Sequence, residues 1–167
     1  MQSKHTPASG IALGGVLAAL AVVIMSMGTL IPVATYVCPM LCILILKGVV
    51  RACRKRIGWA WFGTVAILSL LMAPDKEAAA VFLFLGDYPL LKPMMDKAKH
   101  RRLWKAVYFN ASILTMYWLL MHLFGMVQIT EEFAGMGAVM TLILLSMGNV
   151  VFFLLDRMLS MRVRKMR

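Results

Sequence analysis

The sequence predicts an all-α, polytopic integral membrane bundle of six transmembrane helices with both termini in the cytoplasm, and three observations predict it. Hydrophobic residues fill 62% of the 167 positions and the mean hydropathy is +0.83. A soluble domain is nearer half apolar, so the excess faces something other than water. Charged residues are gathered into short runs between apolar stretches of roughly the ~20 residues a helical span needs. Counted run by run, the basic residues collect on one side of a membrane crossed six times.

The spans follow in order. From Thr6 to Leu46 there is no Asp, Glu, Lys or Arg across 41 residues, which is two spans joined by a tight turn, placed near Ile31-Pro32-Val33-Ala34 because proline disrupts a helix interior. This gives spans over 10–31 and 33–50. The uncharged run Ile57–Pro74 supplies the third, over 57–74. The fourth, over 77–92, is short, contains Asp87, and is weakened by Gly86 and Pro89. Whether it is continuous or broken is open in the sequence. The runs Ala106–Thr130 and Phe133–Leu155 supply the fifth and sixth, over 105–128 and 133–155. One transmembrane domain covers residues 1–167.

Charge decides the fourth span. Of 18 Lys and Arg residues, 17 are Lys4 and the three clusters Lys47–Arg56, Lys92–Lys105 and Arg157–Arg167. If the fourth span crosses, all 17 share one side, and the other side keeps only Asp75, Lys76, Glu77, Glu131 and Glu132 as charges. If it does not cross, the clusters divide between the two sides, against the positive-inside rule. The expected location is a cell membrane, multi-pass, in the bacterial cytoplasmic membrane.

The net charge of +11 does not point to nucleic acid, because the cations lie in short runs between apolar stretches rather than on a folded polar domain. They suit loops beside anionic lipid. Within the third cluster, Pro93–Lys105 mixes Met, Leu and Trp with basic residues; it reads either as an amphipathic stretch along the interface or as a solvated loop. Cys38, Cys42 and Cys53 lie in or beside apolar stretches and read as packing residues, as do the 16 methionines. His5, His100 and His122 differ in depth, and the phosphate-binding and metalloprotease motifs are missing. An enzyme, a cofactor and a metal are therefore not expected.

Some residues remain as candidates. Gly10, Gly14 and Ala18, and beside them Gly15 and Ala19, repeat at four-residue spacing in the first helix, which lets another helix approach closely; they serve internal packing or docking of a partner. Tyr36 and the Asp75-Lys76-Glu77 loop lie on the side opposite the basic clusters, and Tyr117, Trp118 and His122 lie in the fifth span. Together these seven are the candidate lining of an outward-facing solute pocket. The plainer reading is packing for Tyr117 and Trp118 and one inter-helix hydrogen bond for His122. Asp87 reads as an interfacial acid paired with a base such as Lys92, or as a conformational group in a broken helix. Asn110 and Asn149, in the inner halves of their spans, call for inter-helix hydrogen bonds.

The six spans, the internal termini and the first-helix segment Ile11-Ala12-Leu13-Gly14-Gly15-Val16-Leu17-Ala18-Ala19-Leu20 resemble the substrate-binding S components of energy-coupling-factor vitamin transporters. That resemblance implies docking on a transmembrane coupling subunit through small residues, with Gly14 and Ala18, or Gly15 and Ala19, where the family carries two alanines. It implies ATPases as the energy source and a small molecule such as a vitamin as the solute. The stretch Phe82–Lys92 is also similar to small membrane proteins of Gram-positive bacteria without an assigned function. The alternative is a non-transporting membrane scaffold, assembly factor or regulator that uses the basic surface as its contact.

Overall fold

Away from water a backbone satisfies its polar groups within a helix or a closed barrel, and the long apolar runs of this chain form helices. The computed structural model describes residues 7–27, 34–53, 55–122, 135 and 138–161, and every regular element among them is helical. These are α1 (Pro7–Ser26), α2 (Ala34–Ala52), α3 (Lys55–Met72), α4 (Lys76–Leu85), α5 (Tyr88–Met95), α6 (Arg101–His122) and α7 (Ala138–Met161). Three segments are long and apolar enough to cross a membrane: Ala34–Ala52, Val139–Ser160, and Lys76–Met95 counted across the turn between α4 and α5. Helices overlap each of the six expected stretches, but among the described residues those over 10–31, 57–74 and 105–128 do not reach the length and hydropathy of a crossing helix. The expected turn at Ile31–Ala34 lies outside the described residues except for Ala34, which opens α2. The chain gathers into two compact units, one ending at Met94 and one beginning at Met95.

In the first unit, α1 packs on α2 and α3, and α4 packs on the same two helices. On α2, Cys38, Cys42, Leu46 and Val49 form a buried stripe at helical spacing. Pro39 lies within α2 and is itself buried, so packing here overrides the residue's poor helical propensity. The three cysteines are free, and two of them tie α1 to its neighbours: Cys42 Sγ donates to the Ala21 carbonyl at 3.6 Å and Cys53 Sγ to the Gly10 carbonyl at 3.3 Å. The core is closed by Trp61 and Phe62 of α3 around Phe82 of α4, with ring centroids 6.4 and 5.6 Å from it. In lipid, such contacts stabilise by close packing more than by removing apolar surface from water.

The fourth apolar segment is broken, which answers the point the sequence left open. Asp75 caps α4: its carboxylate accepts the Ala78 N–H at 3.0 Å. Buried Ala78, Ala79 and Ala80 follow, small enough for neighbouring backbones to come near. The helix ends at Gly86, whose N–H donates to the Phe82 carbonyl at 2.7 Å. A Cβ at Gly86 would lie 2.9 Å from the Phe62 ring and collide with that carbonyl. The chain then restarts at once: the Leu90 and Leu91 N–H groups donate to the Asp87 carbonyl at 2.8 and 3.2 Å. Pro89 sits in the first turn of α5, where the missing N–H has no helical partner to lose.

In the second unit, α6 and α7 run antiparallel. Phe109 stacks on Phe152 with centroids 4.9 Å apart, and Gly148 leaves room for the Phe109 ring. Beyond this contact, most of the span in α7 is uncovered by protein, with 11% of it buried against 56% for Lys76–Met95. Lipid or another chain must cover that apolar surface.

Candidate functional site

Four of the seven proposed pocket residues meet where α2 and α4 begin. The Thr35 hydroxyl donates to Asp75 Oδ2 at 2.7 Å while Asp75 Oδ1 caps α4. The Tyr36 hydroxyl donates to Glu77 Oε1 at 3.1 Å, and Tyr36 is half exposed. Lys76 turns the other way, its Nζ donating to the Leu70 and Ala73 carbonyls at 2.8 and 2.9 Å, which caps the end of α3. Two cross-helix hydrogen bonds and two caps thus converge on one helix end. Asp75 and Lys76 hold the helices in place, and Tyr36 and Glu77 form the accessible part of the cluster.

Tyr117, Trp118 and His122 lie on α6, in the second unit. Trp118 and His122 are exposed and stack at 5.0 Å, with rings 17° from parallel. His122 Nδ1 lies 3.1 Å from the Trp118 carbonyl. Among the described residues the His122 ring folds back along α6 onto the preceding turn.

The small residues of α1 divide between two faces. Gly10 approaches Cys53, and Gly14 is buried against Ile57, with a Cβ there 3.7 Å from the Ile57 side chain. Ala18 is half-buried. Gly15 and Ala19 are exposed, and a Cβ at Gly15 meets nothing within 4 Å. Internal packing uses Gly10 and Gly14, and Gly15 and Ala19 present a smooth outward surface.

The half-buried Asp87 stands at the α4–α5 break, and Lys92 reaches over the Tyr88 ring at 5.7 Å. Asn110 and Asn149 meet as the sequence requires. Asn149 Nδ2 donates to Asn110 Oδ1 at 3.0 Å, and Asn110 Nδ2 to Asn149 Oδ1 at 3.3 Å. Each amide also donates to the carbonyl four residues back on its own helix.

Two further features escape sequence reasoning. Lys105, counted there only as one loop cation, is 5% exposed and clasped by two acids. Its Nζ lies 3.0 and 3.1 Å from the Asp156 carboxylate oxygens and 2.5 Å from Asp96 Oδ1. The acids stand nine residues before Lys105 and 51 after it, so only the α6–α7 pairing brings them together. The second feature is on α3, where Trp61 Nε1 and Ser69 Oγ are buried without a hydrogen-bond partner among the described residues; each such group costs about 1–3 kcal/mol. Among the described residues no three His, Cys, Asp or Glu side chains gather as a metal site. No family model matches this chain, and no curated protein or solved structure matches it.

Proposed function

We propose that this chain is a six-span membrane subunit, N-in and C-in, that captures a small solute for an energy-coupling-factor type importer and works with a transmembrane coupling subunit and ATPases. The observation that carries the reading is the polar cluster at the start of α2 and α4, where Tyr36 and Glu77 stay accessible while Asp75 and Lys76 fix the helix ends. With the fourth segment crossing, this cluster faces outward, on the side with few charges. The unpartnered Ser69 hydroxyl lies one turn before Ala73, whose carbonyl Lys76 caps, and is a donor that a polar solute would satisfy. Gly15 and Ala19 supply a flat face for close approach of another helix.

The test uses the open space at Gly15. Gly15→Leu adds bulk where nothing of this chain lies within 4 Å of the new Cβ, so the fold is expected to persist. Tagged wild-type protein, extracted in mild detergent, is expected to carry a coupling subunit and ATPases in stoichiometric amounts, and Gly15→Leu is expected to lose them at unchanged thermal stability. Equal recovery of those partners with both forms would remove the docking face from the account.

A scaffold that does not transport is the second reading. It is favoured by the caps: Asp75 and Lys76 are already engaged by backbone groups, which leaves fewer polar groups to hold a solute. Tyr36→Phe with Glu77→Gln separates the two readings. Loss of solute uptake with partners retained supports capture, and full function of the double variant supports the scaffold.

A further inference from the structure

The first turns of α6 carry a surface that neither the solute cluster nor the docking face uses. The helix begins Arg101-Arg102-Leu103-Trp104, with no acid in its first turn, and Lys97, Lys99 and His100 lead into it. Lys97, Lys99, Arg101 and Arg102 are all exposed, and among the described residues none of them forms an ion pair. The Trp104 N–H donates to the His100 carbonyl at 3.1 Å, which extends the helical register back to His100.

From there an uncovered ridge runs along α6. Trp104, Val107, Leu114 and Trp118 recur at spacings of three, seven and four, on one face, and each is more than half exposed. Lys105, Phe109, Met116 and Leu120 form the buried face opposite. The ridge from Trp104 to Trp118 is about 21 Å long. An apolar strip that long, headed by unpaired cations and a tryptophan, has the shape and charge of one molecular class. The headgroup of an acidic phospholipid matches the cations, and its acyl chain matches the ridge.

We infer that the start of α6 is a binding site for an acidic phospholipid, with the phosphate held by Lys99 and Arg101, the glycerol region beside Trp104, and an acyl chain along Val107 and Leu114. The site stands independently of the importer reading, since it needs neither a solute nor a partner. It also accounts for the mixed composition of Pro93–Lys105: the exposed cations of that stretch lie at headgroup level, Lys105 being buried against its two acids, while Trp104 meets the upper acyl chain.

Native mass spectrometry of the full-length protein in mild detergent tests the site, with phosphatidylglycerol, phosphatidylcholine or inorganic phosphate added. Phosphatidylglycerol is expected to bind more tightly than phosphatidylcholine and to be retained at higher collision energy, and inorganic phosphate is expected not to displace it at equal concentration. Removing one cation near an anionic headgroup weakens binding about fivefold, so the double variant K99Q/R101Q is expected to lose about twenty-fivefold in phosphatidylglycerol affinity and little in phosphatidylcholine affinity. Trp104→Ala is expected to weaken both lipids. All these positions are exposed, so thermal unfolding of each variant is expected to match wild type. Equal affinity for the two lipids, or undiminished phosphatidylglycerol binding by the double variant, would make the ridge an ordinary lipid-facing surface and overturn the proposal. Displacement by inorganic phosphate would overturn the acyl-chain part.

Discussion

Two side-chain clusters hold α6 to α7, and they differ in what their loss costs. In the Asn110–Asn149 pair each amide gives and receives one inter-helix hydrogen bond. Such bonds between membrane helices are worth about 0.6 to 2 kcal/mol. Asn110→Ala is therefore expected to lower stability by about 1 kcal/mol, and the double variant with Asn149→Ala to cost little more than either single change, as read by thermal unfolding in detergent. Lys105 is different because it is an ion. Removing one partner of a buried charged cluster costs about 3–5 kcal/mol, since the remaining charges are left unpaired. Lys105→Met leaves the Asp96 and Asp156 carboxylates without their shared cation and is expected to destabilise by about 3 kcal/mol. Asp96→Asn is expected to cost less than Asp156→Asn, because the Asp96 side chain is 39% exposed against 16% for Asp156, and water supports it when the pairing changes. The same unfolding series ranks all three variants.

The α4–α5 break is the clearest event at the scale of an element. Gly86 touches the Phe82 carbonyl and the Phe62 ring so closely that a methyl group has no place. Gly86→Ala is expected to destabilise by about 1–3 kcal/mol through overpacking, visible as a lowered unfolding temperature of the purified protein. If the variant unfolds as wild type, the close approach at this turn is not needed. This break was partly legible in the sequence. Gly86 and Pro89 both weaken a helix, and their three-residue spacing places one at the end of α4 and the other in the first turn of α5. The Asn110–Asn149 contact was legible as well, since a primary amide within an apolar helical stretch has few alternatives to a neighbouring helix. The Lys105 cluster was not legible. Its members look like loop charges until the pairing of α6 with α7 brings them together and buries Lys105. Nor did spacing alone reveal which glycines of α1 face inward: Gly10 and Gly14 share a stripe with Ala18, yet only the position of α3 decides that this stripe, and not Gly15 and Ala19, is covered. Pro39 shows the reverse, a residue whose local preference opposes the helix that packing imposes.

For the molecule as a whole, apolar composition and charge placement carry the membrane reading, and three segments are long and apolar enough to cross. The grouping into units ending at Met94 and beginning at Met95 depends on which helix faces meet, and hydropathy does not encode that. The outward position proposed for the Tyr36–Glu77 cluster rests on one crossing, that of the broken segment Lys76–Met95. Single cysteines placed in a cysteine-free form test it directly, at Pro74, Lys97 and Glu132, with a membrane-impermeant maleimide applied to intact cells and then to permeabilised ones. The account expects Pro74→Cys and Glu132→Cys to label in intact cells and Lys97→Cys to label only after permeabilisation. Labelling of Pro74→Cys and Lys97→Cys from the same side would contradict it, since Lys76–Met95 would not cross and the basic clusters would be divided between the two faces of the membrane.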